Sequence, residues 1–173
     1  FYAPAQILAD AQRHDVVVLP VCVQTSSWDC TLERNVKDEK WDLRLGLRMI
    51  KGLAITQAAK VVRVRQKSGL FLHRDDFDRR TQLGKKSLKQ LAASGAFDCF
   101  YVHRREAIYN SQREELPLLL QITADSKEKA LSAPHAREVL KWDLESQGVS
   151  LDDHPVLHLR RSLKKYGVLV PLP

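Results

Sequence analysis

The stretch that most constrains this chain is Leu47-Arg48-Met49-Ile50-Lys51-Gly52-Leu53-Ala54, followed by the helix-like run Thr56 to Gln66. An apolar residue, a lysine, a glycine, a second apolar residue and a small residue make a tight turn into an amphipathic helix. Gly52 permits a positive φ, so the backbone there can come close to whatever lies outside the turn. The first amides of the following helix have no partner within it and point outward, which suits an anion such as a phosphate. Lys51, Lys60, Arg63, Arg65 and Lys67 surround the turn with positive charge. The same residues also fit an ordinary corner between helices with glycine as its C-cap. The flanking sequence has to decide between the two.

Charge is the first flanking signal. The net charge is +7, and residues 41–110 carry 15 Lys/Arg against 6 Asp/Glu, while the rest of the chain is slightly acidic. The surplus therefore sits around the turn, as the footprint of a polyanion would, with a solvated basic face as the alternative. A length of 173 residues means one domain or two small ones, and 44% hydrophobic with 28% charged residues reads as soluble and globular. No apolar run approaches the ~20 residues that span a bilayer and no signal-peptide pattern opens the chain, so no membrane partner is expected. The opening Phe1, in place of Met, reads as a piece of a longer protein. Three cysteines (Cys22, Cys30, Cys99) without C-x-x-C spacing fit a reduced, cytoplasmic setting better than a disulfide framework or a zinc knuckle.

Periodicity divides the chain into 1–45, 46–112, 113–133 and 134–173. In the first part, a short helix with Ile7 and Leu8 inward precedes a β-branched strand around Val16–Val23, broken by Pro20. Cys30–Glu33 and Trp41–Leu45 alternate in polarity and form a β-hairpin. In the second part, Gly69 ends the first helix, and Phe77–Arg80 is a short helix with acids before arginines, matching the dipole. Leu83-Gly84-Lys85-Lys86 makes a second turn, followed by a helix over Ser87–Ser94 with Leu88, Leu91 and Lys89. His103–Gln112 is a further helix with Ala107, Ile108 and Tyr109 inward. Residues 113–133 lack a sustained period and read as a linker. Its apolar string Leu116-Pro117-Leu118-Leu119-Leu120 either packs on the chain's own core or docks on a sliding clamp. Helices over Pro134–Gln147, with Pro in the first turn, and Val156–Tyr166 complete the chain. The expected fold class is mainly α, two turn-plus-helix units in tandem behind a small α/β element.

Catalytic patterns are weak. Asp76 and Asp78 lie two apart on a short helix beside Arg79 and Arg80, which fits helix capping better than a magnesium-holding pair. His154 and His158 have the spacing of two metal ligands on one helical face, but no third ligand accompanies them, so they read as surface histidines. No Walker-type phosphate loop, nucleophile elbow or Cys–His arrangement occurs.

The residues then support a resemblance. The turn at Gly52 resembles the hairpin of a helix-hairpin-helix module, which holds nucleic acid by its backbone. Phe1-Tyr2-Ala3-Pro4-Ala5-Gln6, Trp28-Asp29-Cys30-Thr31-Leu32-Glu33 and Leu43 to Leu53 resemble successive motifs of bacterial C-family DNA polymerases, most closely the error-prone branch related to the polymerase III alpha subunit. Leu91 to Phe97 with Arg104-Arg105, and Gly148 to Leu151 with His154-Pro155, resemble the same family. The resemblance implies a piece running from the end of the fingers through a tandem helix-hairpin-helix region. It implies sequence-independent binding of double-stranded DNA through Lys51, Gly52, Leu53, Ala54, Lys60, Arg63, Gly84, Lys85, Lys86 and Lys89. It further implies that the catalytic aspartates, magnesium and deoxynucleoside triphosphates belong to the parent enzyme, with no cofactor or metal in this piece, and that other translesion-assembly proteins are partners. A module whose basic face docks an acidic repair protein is the rival reading. Two departures stand out: Ala54 occupies the place of a second glycine, and the turn at Leu83–Lys86 lacks the Gly-x-Gly form.

Overall fold

A three-stranded sheet and six helices make up residues 2–35, 39–112 and 132–151, the part of the chain that the computed structural model describes. The 116–120 string, the His154/His158 pair and the helix expected over 156–166 lie outside the described residues.

Helix α1 (Pro4–Arg13) starts with Pro4 in its first turn, where a missing N–H costs nothing, and the Gln6 side chain accepts the Ala3 amide at 2.9 Å. It anchors through Leu8, while Ile7, expected inward, faces solvent. The strand expected around Val16–Val23 shrinks to β1 (Val18–Leu19), because Pro20 has no N–H to continue the ladder. Val21 and Val23 are buried all the same, as loop residues packed into the core. Strands β2 (Thr31–Arg34) and β3 (Trp41–Arg44) form the antiparallel hairpin read from the alternation, and β1 lies parallel to β3, giving the order β1-β3-β2. Leu43 pairs with Val18 on one side and Leu32 on the other. An Arg44–Glu33 ion pair at 3.0 Å ties β3 to β2.

The sheet delivers the chain to Gly46, where a side chain has no room. A Cβ there would lie 2.4 Å from the Trp28 carbonyl oxygen and the Asp29 carbonyl carbon. This close approach lets Leu47 N and Arg48 N donate to the carbonyls of Ser27 and Trp28 at 2.9 and 3.0 Å. A single 3₁₀ turn (Leu47–Met49) then leads into α2 (Ile55–Ser68), α3 (Arg74–Thr81), α4 (Lys85–Ala93) and α5 (Arg104–Gln112). Helix α6 (Ala136–Ser146) packs back against α4. Its N-cap is His135, so Pro134 lies outside the helix rather than in its first turn.

The core under the helices is aromatic. Phe77 of α3 stands edge-on to Phe71 at 4.8 Å and to Phe97 at 5.1 Å, and Phe97 stacks on Phe100 at 6.1 Å. Leu45, Leu47, Ile50, Val61 and Leu91 extend it toward the sheet and the first turn. Ala107 joins this core from α5, but Tyr109, expected beside it, is exposed.

Candidate nucleic-acid interface

Gly52 adopts φ +77°, Leu53 is buried beneath it, and Ala54 is the N-cap of α2 with φ −72° and ψ 142°. A second turn repeats this backbone, in a register that the sequence pattern misses. Gln82 adopts the left-handed conformation, Leu83 is buried, and Gly84 is the N-cap of α4 with φ −68° and ψ 153°. The second turn is therefore Gln82-Leu83-Gly84, aligned with Gly52-Leu53-Ala54, and not Leu83–Lys86. Each turn keeps one glycine of a Gly-x-Gly pair, at opposite ends. Aligning the two buried leucines is the signal that finds this register.

The helices behind these turns start unlike their neighbours. Helix α3 is capped by His73, which accepts the Asp76 amide, and carries Asp75 and Asp76 in its first turn. Helix α6 is capped by His135 and carries Glu138, which returns a bond to the His135 amide at 2.9 Å. Helices α2 and α4 have no side-chain cap and no acid in the first turn. The amides of Ile55, Thr56, Lys85, Lys86 and Ser87 find no acceptor among the described residues. In α4 the first two residues are lysines, and Lys89 lies within a turn of both. Like charges gathered at the positive end of a helix dipole are unfavourable until an anion neutralises them.

Most of the cationic surplus is committed internally. Arg65 donates to the carbonyls of Val23, Ser26 and Thr25 at 2.8, 3.0 and 3.2 Å, clamping the loop before β2. Arg80 donates to Leu70, Val64 and Gly69 carbonyls, pairs with Asp76 at 3.0 Å, and lies over the Phe71 ring at 4.6 Å. Arg74 pairs with Asp78, Arg48 with Asp29, Arg104 with Asp98 and Asp143, and Arg105 with Glu138. Asp76 also accepts from Arg79 at 2.9 Å and from the Leu72 amide at 3.1 Å. Arg79 first, then the Leu72 amide and Arg80, hold its carboxyl down at about 2 against an ordinary 3.8. Both carboxylates of the Asp76/Asp78 pair thus face arginines, an environment that suits an internal clamp and not a cation.

Within residues 41–110, the cations left without an acceptor among the described residues are Lys60, Arg63, Lys67, Lys85, Lys86 and Lys89. Lys60, Arg63 and Lys67 recur at three- and four-residue spacing, which puts them on one face of α2. Five of the six are among the DNA-contacting residues that the resemblance implies, and Lys67, read from sequence only as charge around the turn, belongs with them. Lys51 is placed differently: its ammonium donates to the Leu144 carbonyl at 2.8 Å and its amide to Ser146 at 2.8 Å. Leu53 is buried and anchors the turn from inside.

The two turns are joined through Gln90, a residue that sequence reasoning passes over. Its Nε2 donates to the Lys51 carbonyl at 3.2 Å, in the space that the absent Gly52 side chain leaves. A Cβ on Gly52 would lie 2.5 Å from that nitrogen, whereas a Cβ on Gly84 meets nothing within 4 Å. Gly52 is thus open inward to Gln90, and Gly84 opens to solvent.

A profile described as "Helix-hairpin-helix motif" matches residues 15–107, more than half of the chain. The chain belongs to the helix-hairpin-helix family. Its two hairpins are the turns at Gly52 and Gln82, and all three strands of the small sheet fall within the matched region. This helix-hairpin-helix chain is also 37% identical to error-prone DNA polymerase 2 of Agrobacterium fabrum, over 98% of its own length and 17% of the relative. It is 40% identical to error-prone DNA polymerase 1 of the same organism, again over 98% and 17%. The error-prone DNA polymerase of Allorhizobium ampelinum is 36% identical, over 98% of this chain and 16% of the relative. The chain thus corresponds to less than a fifth of the length of these curated relatives.

Proposed function

We propose that this helix-hairpin-helix chain grips duplex DNA by its backbone, without regard to sequence, as a piece of an error-prone DNA polymerase acting in damage-induced translesion synthesis. The observation that carries this reading is the pair of uncapped, acid-free helix starts, α2 and α4, each following a left-handed turn, with Lys85, Lys86 and Lys89 at the start of α4 and Lys60, Arg63 and Lys67 along one face of α2, all six without an acceptor among the described residues. Each start offers amides to one phosphate of the backbone. Lys60, Arg63 and Lys67 on one unit, and Lys85, Lys86 and Lys89 on the other, neutralise phosphates nearby. Contacts of this kind hold and orient a duplex and carry no base information. Gly84 serves as a close-approach point, and Lys51 and Leu53 hold the first turn in shape. Nucleotide chemistry, with its magnesium, is assigned to the remainder of the parent polymerase, so the chain alone extends no primer.

The test is titration of labelled random-sequence duplexes with wild type and Gly84→Ala between 50 and 200 mM salt. If about four to six phosphates are neutralised, wild-type affinity falls roughly 10²–10³-fold over that range. Gly84→Ala keeps its folded circular dichroism, because a Cβ there meets no protein atom within 4 Å, yet weakens every duplex alike. Binding by Gly84→Ala equal to wild type removes the close approach from the reading. Salt-independent affinity removes the phosphate contacts altogether.

A further inference from the structure

A pocket of about 250 Å³ opens between the first hairpin turn, α4 and α6. Ile50 and Ala93 are its aliphatic lining, Trp142 and Glu145 contribute from α6, and Lys89 and Gln90 from α4. Its volume lies just under the roughly 300–1,000 Å³ of sites for drug-sized ligands and suits a single ring system. Trp142 is half-buried, while Lys89 and Glu145 are exposed.

The polar groups of this pocket are one-sided. Three donors around it bond to protein carbonyls: Lys51 Nζ to Leu144 at 2.8 Å, Gln90 Nε2 to Lys51 at 3.2 Å, and Ser146 Oγ to Ala93 at 3.4 Å. Two acceptors stay open. Gln90 Oε1 receives no bond among the described residues, and the Glu145 carboxylate has only the Lys141 ammonium at 3.8 Å, an exposed pair of little strength. Such a lining calls for a flat ligand that brings its own N–H donors. A guanidinium or ammonium has the donors, but Lys89, with Lys85 and Lys86 one turn before it, repels a cation. The same lysines favour a ligand with an anionic tail. A planar ring, an amino group and an anion together are the parts of a nucleotide.

We propose that this pocket takes one unpaired, amino-bearing base of a DNA strand, with the attached phosphate on Lys89. The inference rests on the duplex-binding reading above and adds to it a contact with the unpaired nucleotide next to a duplex end. The base stacks on Trp142, a contact that any base can make. Its exocyclic amine donates to Gln90 Oε1 or to the Glu145 carboxylate. Cytosine, adenine and guanine carry that amine and thymine does not, so the pocket ranks thymine last.

The experiment follows the indole N–H resonances of the ¹⁵N-labelled 173-residue chain, with that of Trp142 identified by its loss in Trp142→Leu. The titrants are dCMP, dTMP, a blunt duplex, and the same duplex with a short dC or dT extension at its 5′ or 3′ end. The expected result is that dCMP moves the Trp142 resonance and leaves those of Trp28 and Trp41 in place, while dTMP binds several-fold more weakly. A dC extension at one of the two ends tightens duplex binding roughly tenfold over the blunt duplex. Trp142→Leu abolishes that gain and keeps the blunt-duplex affinity. A Trp142 resonance unmoved by dCMP and by every extension, in a chain that still binds the blunt duplex, overturns the base site and leaves the duplex grip standing. Equal binding of dCMP and dTMP overturns the assignment of an amino-bearing base. A Trp142 shift with dCMP but no binding of any duplex overturns the grip instead and supports the base site.

Discussion

The Lys51 ammonium donates to the Leu144 carbonyl across 2.8 Å, and the Lys51 amide donates to Ser146 at the same distance. The lysine of the first hairpin therefore closes the C-terminal end of α6, where carbonyls lack partners and the helix dipole favours a cation. Two residues further along, Gly148 takes φ +79° and leaves room for the Lys51 stem, with its Cβ position 3.3 Å from Lys51 Cε. Lys51 is in this way a positioning residue for the turn, while Lys85 and Lys86 face solvent.

That difference separates two lysine sites by experiment. Lys51→Met is expected to cost about 1 kcal/mol of unfolding free energy while leaving the salt slope of DNA binding unchanged. Lys85→Ala with Lys86→Ala is expected to lower the salt slope by up to about 2 and leave stability equal or higher, since it removes like charges from a helix start. Urea titration and duplex binding at several salt concentrations measure both quantities. A lowered slope in Lys51→Met contradicts the positioning role.

Asp76 makes stability depend on pH. Its folded-state ionisation lies near 2, below the ordinary 3.8, so the carboxylate stabilises the fold above about pH 4 and this contribution disappears as pH falls toward 2. Asp76→Asn is expected to unfold at lower temperature than wild type at neutral pH, with the gap closing on acidification through that window. Thermal midpoints of both proteins from pH 7 to 2 provide the check, and a gap constant with pH contradicts it.

Arg80 holds the end of α2 to α3 with bonds to three carbonyls and one carboxylate. Lysine has the charge but cannot serve these acceptors from one ammonium position. Arg80→Lys is expected to destabilise by about 2–4 kcal/mol, read from the urea midpoint. A loss below 1 kcal/mol would mean that water or the lysine substitutes for the fork.

The glycines differ sharply in what they tolerate. Gly46→Ala forces a methyl group against rigid backbone at 2.4 Å and is expected to cost on the order of 3 kcal/mol. Gly52→Ala places its methyl against the movable Gln90 amide and holds a left-handed φ, for about 1–2 kcal/mol. Gly84→Ala changes stability by less than about 1 kcal/mol. Ranking the three by chemical denaturation tests all of them together, and a Gly46→Ala protein as stable as wild type contradicts the backbone contact.

How far sequence carries can be read from the same residues. The β-hairpin, the α1 helix and the turn at Gly52 follow from local chemistry: alternation, a first-turn proline, and a glycine between apolar neighbours. The strand over Val16–Val23 is overextended because β-branched residues bury as well in a loop as in a ladder. The second turn is misplaced because its left-handed residue is Gln82, and pattern reading looks for glycine there. Arg65 passes for charge around the turn, since an arginine that binds backbone carbonyls has the same local signature as one that binds phosphate. Gly46 and Gln90 matter only through partners distant in sequence, at Trp28 and Lys51, and no local spacing announces either contact.

Gln82 has one more consequence. A residue with a β-carbon held left-handed carries a conformational cost of roughly 1–2 kcal/mol that glycine avoids, although glycine gives part of the gain back through a freer unfolded chain. The Gln82 side chain is exposed and its backbone already closes α3 by a 2.8 Å bond to Asp78. The second hairpin thus sits slightly below the stability its backbone could reach, at a position that makes no use of its side chain in the core. For protein engineering this is headroom: a single replacement there hardens the fold without adding a contact or altering the charged face.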